Sequence, residues 1–144
     1  MMKKLIYGFI SALFFNQLHA QALPVFDDVI QHLSNGHEVN LVVDLNRCTI
    51  DDPNEVKIPA AKWFVKPQIV TFTDTFISID GVKYAHGRAP LPASGLVQKG
   101  TILVNNQGNS HIVLSFFDAE TNKKLMNDVN IQCSLNNGLQ FFTR

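Results

Sequence analysis

Cys48 and Cys133 are the two cysteines of a 144-residue chain. Each is either a nucleophile or half of a disulfide. Neither is surrounded by a cysteine-protease signature. Histidine is the next candidate for chemistry; beyond the first 22 residues it stands at His32, His37, His86 and His111. No H-x-H or H-x₃-H pair falls on one element, so a metal site would have to assemble across the fold. Asp27-Asp28 and Asp51-Asp52 are adjacent carboxylates. Neighbours on a helix do not face one another, and glycosidase-like carboxylates must flank a cleft at a fixed separation. G-x-G-x-x-G, P-loop, H-E-x-x-H, G-x-S-x-G and EF-hand patterns are all absent, and nothing calls for a cofactor. The residues left as candidate binding groups are Asp44, Arg88, Trp63 and Tyr84. Asp44 follows Val43 in a strand pattern, on its less apolar side, where a partly buried carboxylate needs hydrogen-bond partners in nearby backbone. Arg88 belongs to the Gly-, Pro- and Ser-containing stretch 85–95.

The compartment decides between the roles of cysteine. Lys3 and Lys4 precede an apolar run from Leu5 to Phe15, and Ala20-Gln21-Ala22 supplies small residues for cleavage. That is the pattern of a secretory signal peptide, and the run is too short to span a bilayer. Residues 1–22 are therefore expected to be a leader and 23–144 a single domain, with cleavage after Ala20 as the other option. The chain carries 12 basic and 12 acidic residues. Losing Lys3 and Lys4 leaves a small acidic surplus, which excludes nonspecific nucleic-acid binding. No second run reaches spanning length. An exported protein meets oxidising conditions, so the two cysteines are expected to form a Cys48–Cys133 disulfide. The place this predicts is the periplasm or the extracellular space.

One stretch reads as a helix. Phe26, Val29, Ile30 and Leu33 share a helical face, Pro24 suits the first turn, and Gly36 suits a left-handed cap, giving a helix over about 24–35. The period then falls to two. Leu41, Val43 and Leu45 alternate with Asn40, Val42 and Asp44. Pro67 interrupts WFVKPQIVTF, making it an edge strand or two short ones. Asp80-Gly81 fits a type I′ hairpin turn inside TFISIDGVKYAHG. An Asn/Gln/Gly turn separates two strands in residues 95–118. Val129, Ile131, Cys133 and Leu135 share a strand face, and Asn137-Gly138 turns the chain into its last strand. About eight short strands without crossover helices predict a mainly β protein: an antiparallel, strongly curved sheet or small barrel with one N-terminal amphipathic helix and one disulfide.

Ala22-Leu23-Pro24, Phe26 and Gly36, then Val42-Val43-Asp44 and Cys48, then Gln132-Cys133, Gly138 and Phe141 together resemble the VirK family of small exported bacterial proteins linked to virulence. The resemblance is sharp at the two ends and follows only strand type in the middle. It implies export from a Gram-negative cell and a role in host interaction, and it carries no enzymatic activity. The expected function is a noncatalytic binding or accessory factor whose partner is an unknown protein or a small apolar ligand. Two alternatives follow from the residues: a small secreted hydrolase using Asp44 and a histidine, or a lipocalin-like carrier with a hollow apolar cavity.

Overall fold

A computed structural model describes residues 20–53, 61–85 and 93–144. Residues 1–19, and with them most of the expected signal peptide, lie outside the described residues, as do His86 and Arg88.

The described chain opens with a two-residue strand β1 (Ala22–Leu23) and a helix α1 (Phe26–Ser34). The helix is shorter than its pattern suggests at the front. Pro24 lies ahead of the N-cap, Val25, whose backbone is extended. Asp27 and Asp28 occupy the first turn, where the helix dipole favours negative charge. At the other end the Gly36 N–H donates to Leu33 and the His37 N–H to His32. These are the two bonds of a Schellman cap, and Gly36 supplies its positive φ of 78°. Phe26 and Val29 are buried, and Ile30 and Leu33 pack against the core beside them.

The remaining strands are β2 (Val39–Asp44), β3 (Thr49–Asp51), β4 (Lys62–Val65), β5 (Ile69–Phe72), β6 (Phe76–Ala85), β7 (Leu96–Asn105), β8 (Asn109–Asp118), β9 (Val129–Leu135) and β10 (Gly138–Thr143). They form one sheet in the order β4-β2-β10-β9-β8-β7-β6-β5, with β1 added on β10 and β3 on β9. Only Lys66, Pro67 and Gln68 separate β4 from β5, the two ends of that path. In a flat sheet seven inter-strand steps would hold these ends about 34 Å apart. The chain from Val65 to Ile69 reaches at most about 14 Å. The sheet must therefore curl, and it forms a half-barrel. Pro67 sits in the link, where no ladder bond is lost.

The core fills the concave side. Leu41, Val43, Ile77, Ile112, Ile131, Leu139 and Phe141 are among its most buried members. Each strand contributes alternate positions, as Ile77 and Ile79 do opposite Val104 and Ile102.

Two expected turns are displaced. Asp80-Gly81 is not a hairpin turn. β6 runs straight through it and pairs with β7 in unbroken antiparallel register from Phe76↔Asn105 to Ala85↔Leu96. The Asp80 carboxylate, which would have served a turn, accepts from Thr101 Oγ1 at 2.7 Å on the neighbouring strand. Ten cross-strand pairs outweigh a local dipeptide preference. Near the C terminus the reversal is centred on Leu135-Asn136, with Asn137 N–H donating to Ser134 and Asn136 at φ 64°. β10 then leaves β9 after a two-pair contact in parallel sense, Gly138↔Ser134 and Leu139↔Leu135, and pairs antiparallel with β2 over five residues. All other strand pairs are antiparallel.

The disulfide sits at that departure point. Cys48 and Cys133 are joined, with Cα atoms 4.6 Å apart across 85 residues of sequence. Gly138 has φ 103°, and a Cβ there would lie 2.7 Å from Cys48 Sγ and 3.2 Å from Cys133 Cβ. Both the backbone conformation and the space demand glycine. Closing a loop of this length stabilises by about 4–5 kcal/mol in the chain-entropy model. A Cys48→Ala/Cys133→Ala chain is expected to lose about 2–5 kcal/mol in urea unfolding. Gly138→Ala should cost less in that cysteine-free background than in the oxidised protein, because its nearest obstacle is gone. Equal costs in the two backgrounds would show that the sulfur contact plays no part.

Candidate functional site

The concave face is not filled to its edge. Between β4 on one side and β6 and β7 on the other lies a groove of about 570 Å³, within the size range of small-molecule sites. Its walls follow from strand register. Val43↔Trp63 and Leu41↔Val65 are opposed across β2 and β4, so Trp63 and Val65 share the inward side with the buried Val43 and Leu41. Ile79, Ile102, Ile112 and Leu114 form the floor.

The next inward position of β6 is Gly81, and opposite it on β7 stands Gly100. A Cβ on Gly81 would meet Gln68 Oε1 at 3.6 Å, and one on Gly100 would meet Leu114 Cδ2 at 3.4 Å. Neither contact forbids a side chain, and neither glycine is among the residues with positive φ. Glycine inside a strand costs roughly 0.5–1 kcal/mol relative to alanine. Turn geometry does not account for this facing pair. What the pair does is leave the groove open. Beyond it, Lys83 faces Gln98 at the mouth.

Gln68 finishes the wall. Its Nε2 donates to the Val82 carbonyl at 3.1 Å, and the Val82 N–H donates to its Oε1 at 2.6 Å. The side-chain amide thus replaces the next residue of β5 and satisfies a strand edge that would otherwise be bare.

The candidate residues separate. Trp63 lines the groove. Asp44 lies on the opposite face of β2, where it caps a short 3-10 turn, Leu45–Arg47. Its carboxylate accepts from the Asn46 N–H at 3.2 Å and Asn46 Nδ2 at 3.0 Å, and pairs with Lys62 at 3.5 Å and Arg47 at 3.9 Å. The Asn46 side-chain bond is the main reason its pKa is held below the ordinary carboxylate value, with Lys62 assisting. Tyr84 is 74% exposed and projects from the convex side of β6, opposite Val97. Arg88 lies outside the described residues.

The histidines do not converge with a carboxylate among the described residues. His111 Nε2 stands 3.1 Å from Asn130 Oδ1. His32 and His37 stack at 4.8 Å near the end of α1, where desolvation, and then the neighbouring ring, lowers the His32 pKa. Asp44 bonds none of these three. Among the described residues, no group of three His, Cys, Asp or Glu side chains is placed to hold a metal ion.

The groove positions missed by sequence reasoning are Gly81, Gly100, Gln68, Gln98 and Lys83. A signal existed: two strand-patterned segments each carry an interior glycine, and Asp80-Gly81 drew a turn assignment instead.

The strongest charge shift lies away from the groove. Asp118 accepts from Ser94 Oγ at 2.5 Å and from the backbone N–H groups of Glu120 and Thr121 at 3.0 and 2.8 Å. Led by the Ser94 bond, these contacts lower its pKa to about 2. They fasten the entry to β7 to the turn after β8.

Comparison with solved structures identifies the architecture. The crystal structure of a VirK family protein from Legionella pneumophila superposes with a TM-score of 0.75 at 18% sequence identity, covering 85% of this chain and 99% of that one. This half-barrel therefore has the fold of a VirK family protein. No family model matches the sequence, and no curated protein matches it.

Because the folded pKa of Asp118 is depressed, its stabilisation is complete above the unfolded carboxylate value of about 4. It is lost as pH falls through about 2. Asp118→Asn lacks that stabilisation already at neutral pH. Urea midpoints of wild type and Asp118→Asn should differ at pH 7 and converge as the pH approaches 2; a gap that stays constant would assign the effect to shape and not charge.

Proposed function

We propose that this chain is an exported VirK-like protein that acts by binding and not by catalysis, in the periplasm or outside the cell, in a role connected with virulence. The groove beside Trp63 carries this reading. It is concave, apolar on its floor and walls, and edged by lysine and glutamine. General acid–base work needs paired titratable groups within hydrogen-bond reach, and the one carboxylate along the lining among the described residues, Asp80, is engaged by Thr101 on the far face of its strand. A small-residue exit after an apolar leader, a disulfide and a VirK fold support export together.

The likeness to a carrier is partial. A lipocalin-type barrel closes around its cavity, whereas this sheet is open between β4 and β6. The reading that fits is an open cradle.

β1 also bears on where the leader ends. Gln21 accepts from the Thr143 N–H at 2.8 Å and donates to Thr143 Oγ1 at 2.9 Å. Ala22 pairs with Phe142. Cleavage after Ala22 would discard these contacts, while cleavage after Ala20 keeps them. When the full chain is expressed in a Gram-negative host and extracted from the periplasm, intact mass should correspond to a chain starting at Gln21 and lacking two hydrogens. An unprocessed, fully reduced chain recovered from the cytosol would defeat the export reading.

A further inference from the structure

We infer that the groove binds a single extended acyl chain ending in a carboxylate, with the hydrocarbon laid along the Gly81–Gly100 window and the head group at Lys83. The inference rests on the binding reading above and supplies its ligand class.

Three observations point the same way. First, the open volume is created by the absence of two side chains directly opposite one another, Gly81 and Gly100. Facing glycines make a slot across the strands, flanked by Ile79, Ile102 and Leu114. Such a slot suits a narrow, flexible chain, which contacts apolar walls along its length.

Second, the indole of Trp63 and the side chain of Val65 form the facing wall, half-buried against the core, so the slot is apolar on both sides.

Third, among the described residues the charge that faces into the mouth has one sign. Lys62, Lys66 and Lys83 line the groove. Lys62 is committed to Asp44, which leaves Lys66 and Lys83. Of these, Lys83 continues the inward row of β6, two residues beyond Gly81. The lining carboxylate, Asp80, is turned to the other face and hydrogen-bonded there. Among the described residues an anionic head therefore meets cations without a competing carboxylate, and Gln98, opposite Lys83, offers an amide N–H donor as well. A cationic head group would meet repulsion and an uncharged one no ion pair.

Trp63 is the single tryptophan of the chain, so its emission reports on the groove alone. The oxidised protein is titrated with laurate below its micellar range, and with dodecanol and dodecyltrimethylammonium as head-group controls. Laurate is expected to give a saturable shift of emission to shorter wavelength as hydrocarbon displaces water from the indole. Dodecanol should bind about tenfold more weakly, the size of one lost charge-assisted contact, and the cationic amphiphile more weakly still. Lys83→Gln should erase the preference for laurate over dodecanol and keep the dodecanol response. Gly100→Leu, which fills the slot without backbone strain, should abolish both. Should Gly100→Leu fail to fold, the three-ligand comparison on the unmodified protein decides by itself. Equal affinities for all three head groups, no saturable response to laurate, or an unchanged response in folded Gly100→Leu each overturns the inference. If an extended apolar peptide shifts Trp63 emission and laurate does not, the acyl ligand falls while the binding reading stands.

Discussion

Where β9 gives way to β10, Gly138 lies against the Cys48–Cys133 bridge with no room for a methyl group, since a Cβ there would come within 2.7 Å of Cys48 Sγ. The sheet is weakest at the same place. β9 holds β8 through six register pairs, and β10 holds β2 through five, but β9 and β10 share only two. The half-barrel is thus two hydrogen-bonded units, β1-β10-β2-β4 and β3-β9-β8-β7-β6-β5, meeting along a short seam. The disulfide ties the turn after β2 to the centre of β9 across that seam. Leu41, Val43, Leu139 and Phe141 from one unit bury against Ile112, Ile131 and Val129 from the other. A bridge that limits separation in the unfolded chain, together with a shared core, holds what the backbone ladder does not.

A second seam lies on the other side of the curl, between β4 and the outer half of β6, and it is left open. Residues 66–68 cross it as a short link, and Gln68 satisfies the Val82 edge with its side chain. Exposed strand edges invite pairing with other chains, so an unpaired gap in a β fold is a liability unless it serves something. Here the gap leads to an apolar floor that two interior glycines keep clear. The stabilisation forgone at Gly81 and Gly100 is the size of one or two ordinary surface contacts, well within what the stapled seam supplies.

The physics that was legible from sequence is the physics of period. The 3.6-residue repeat of Phe26, Val29, Ile30 and Leu33 marks the buried face of α1, and the twofold repeats of β2 and β9 mark which residues point inward. Pro67 divides its segment as a proline must. The Cys48–Cys133 pairing follows from there being two cysteines and from the compartment the sequence leads one to expect, and the two are bonded. What period cannot supply is partner choice. Asp80-Gly81 has the chemistry of a turn, but whether it turns depends on a ten-residue partner strand that only the folded chain provides. For the same reason Asp44, Trp63 and Tyr84 could be named but not assembled. Asp44 and Tyr84 occupy outward positions and Trp63 an inward one, and alternation alone does not say which side of a curled sheet is hollow. Glycine leaves no hydrophobic signal, so two interior strand glycines could be seen in the sequence but not that register places Gly81 opposite Gly100.

The two seams are coupled through the curl. An eight-strand path whose ends must meet across three residues has little freedom, because the intervening strands are packed and not compressible. A glycine at 138 lets β10 approach the bridge closely, which fixes how sharply the sheet bends there. A methyl group at Gly138 would act on more than local packing. It would meet Cys48 Sγ at 2.7 Å, the Arg47 carbonyl at 3.1 Å and Cys133 Cβ at 3.2 Å, so the junction of β10, the bridge and the turn after β2 must shift as one to admit it.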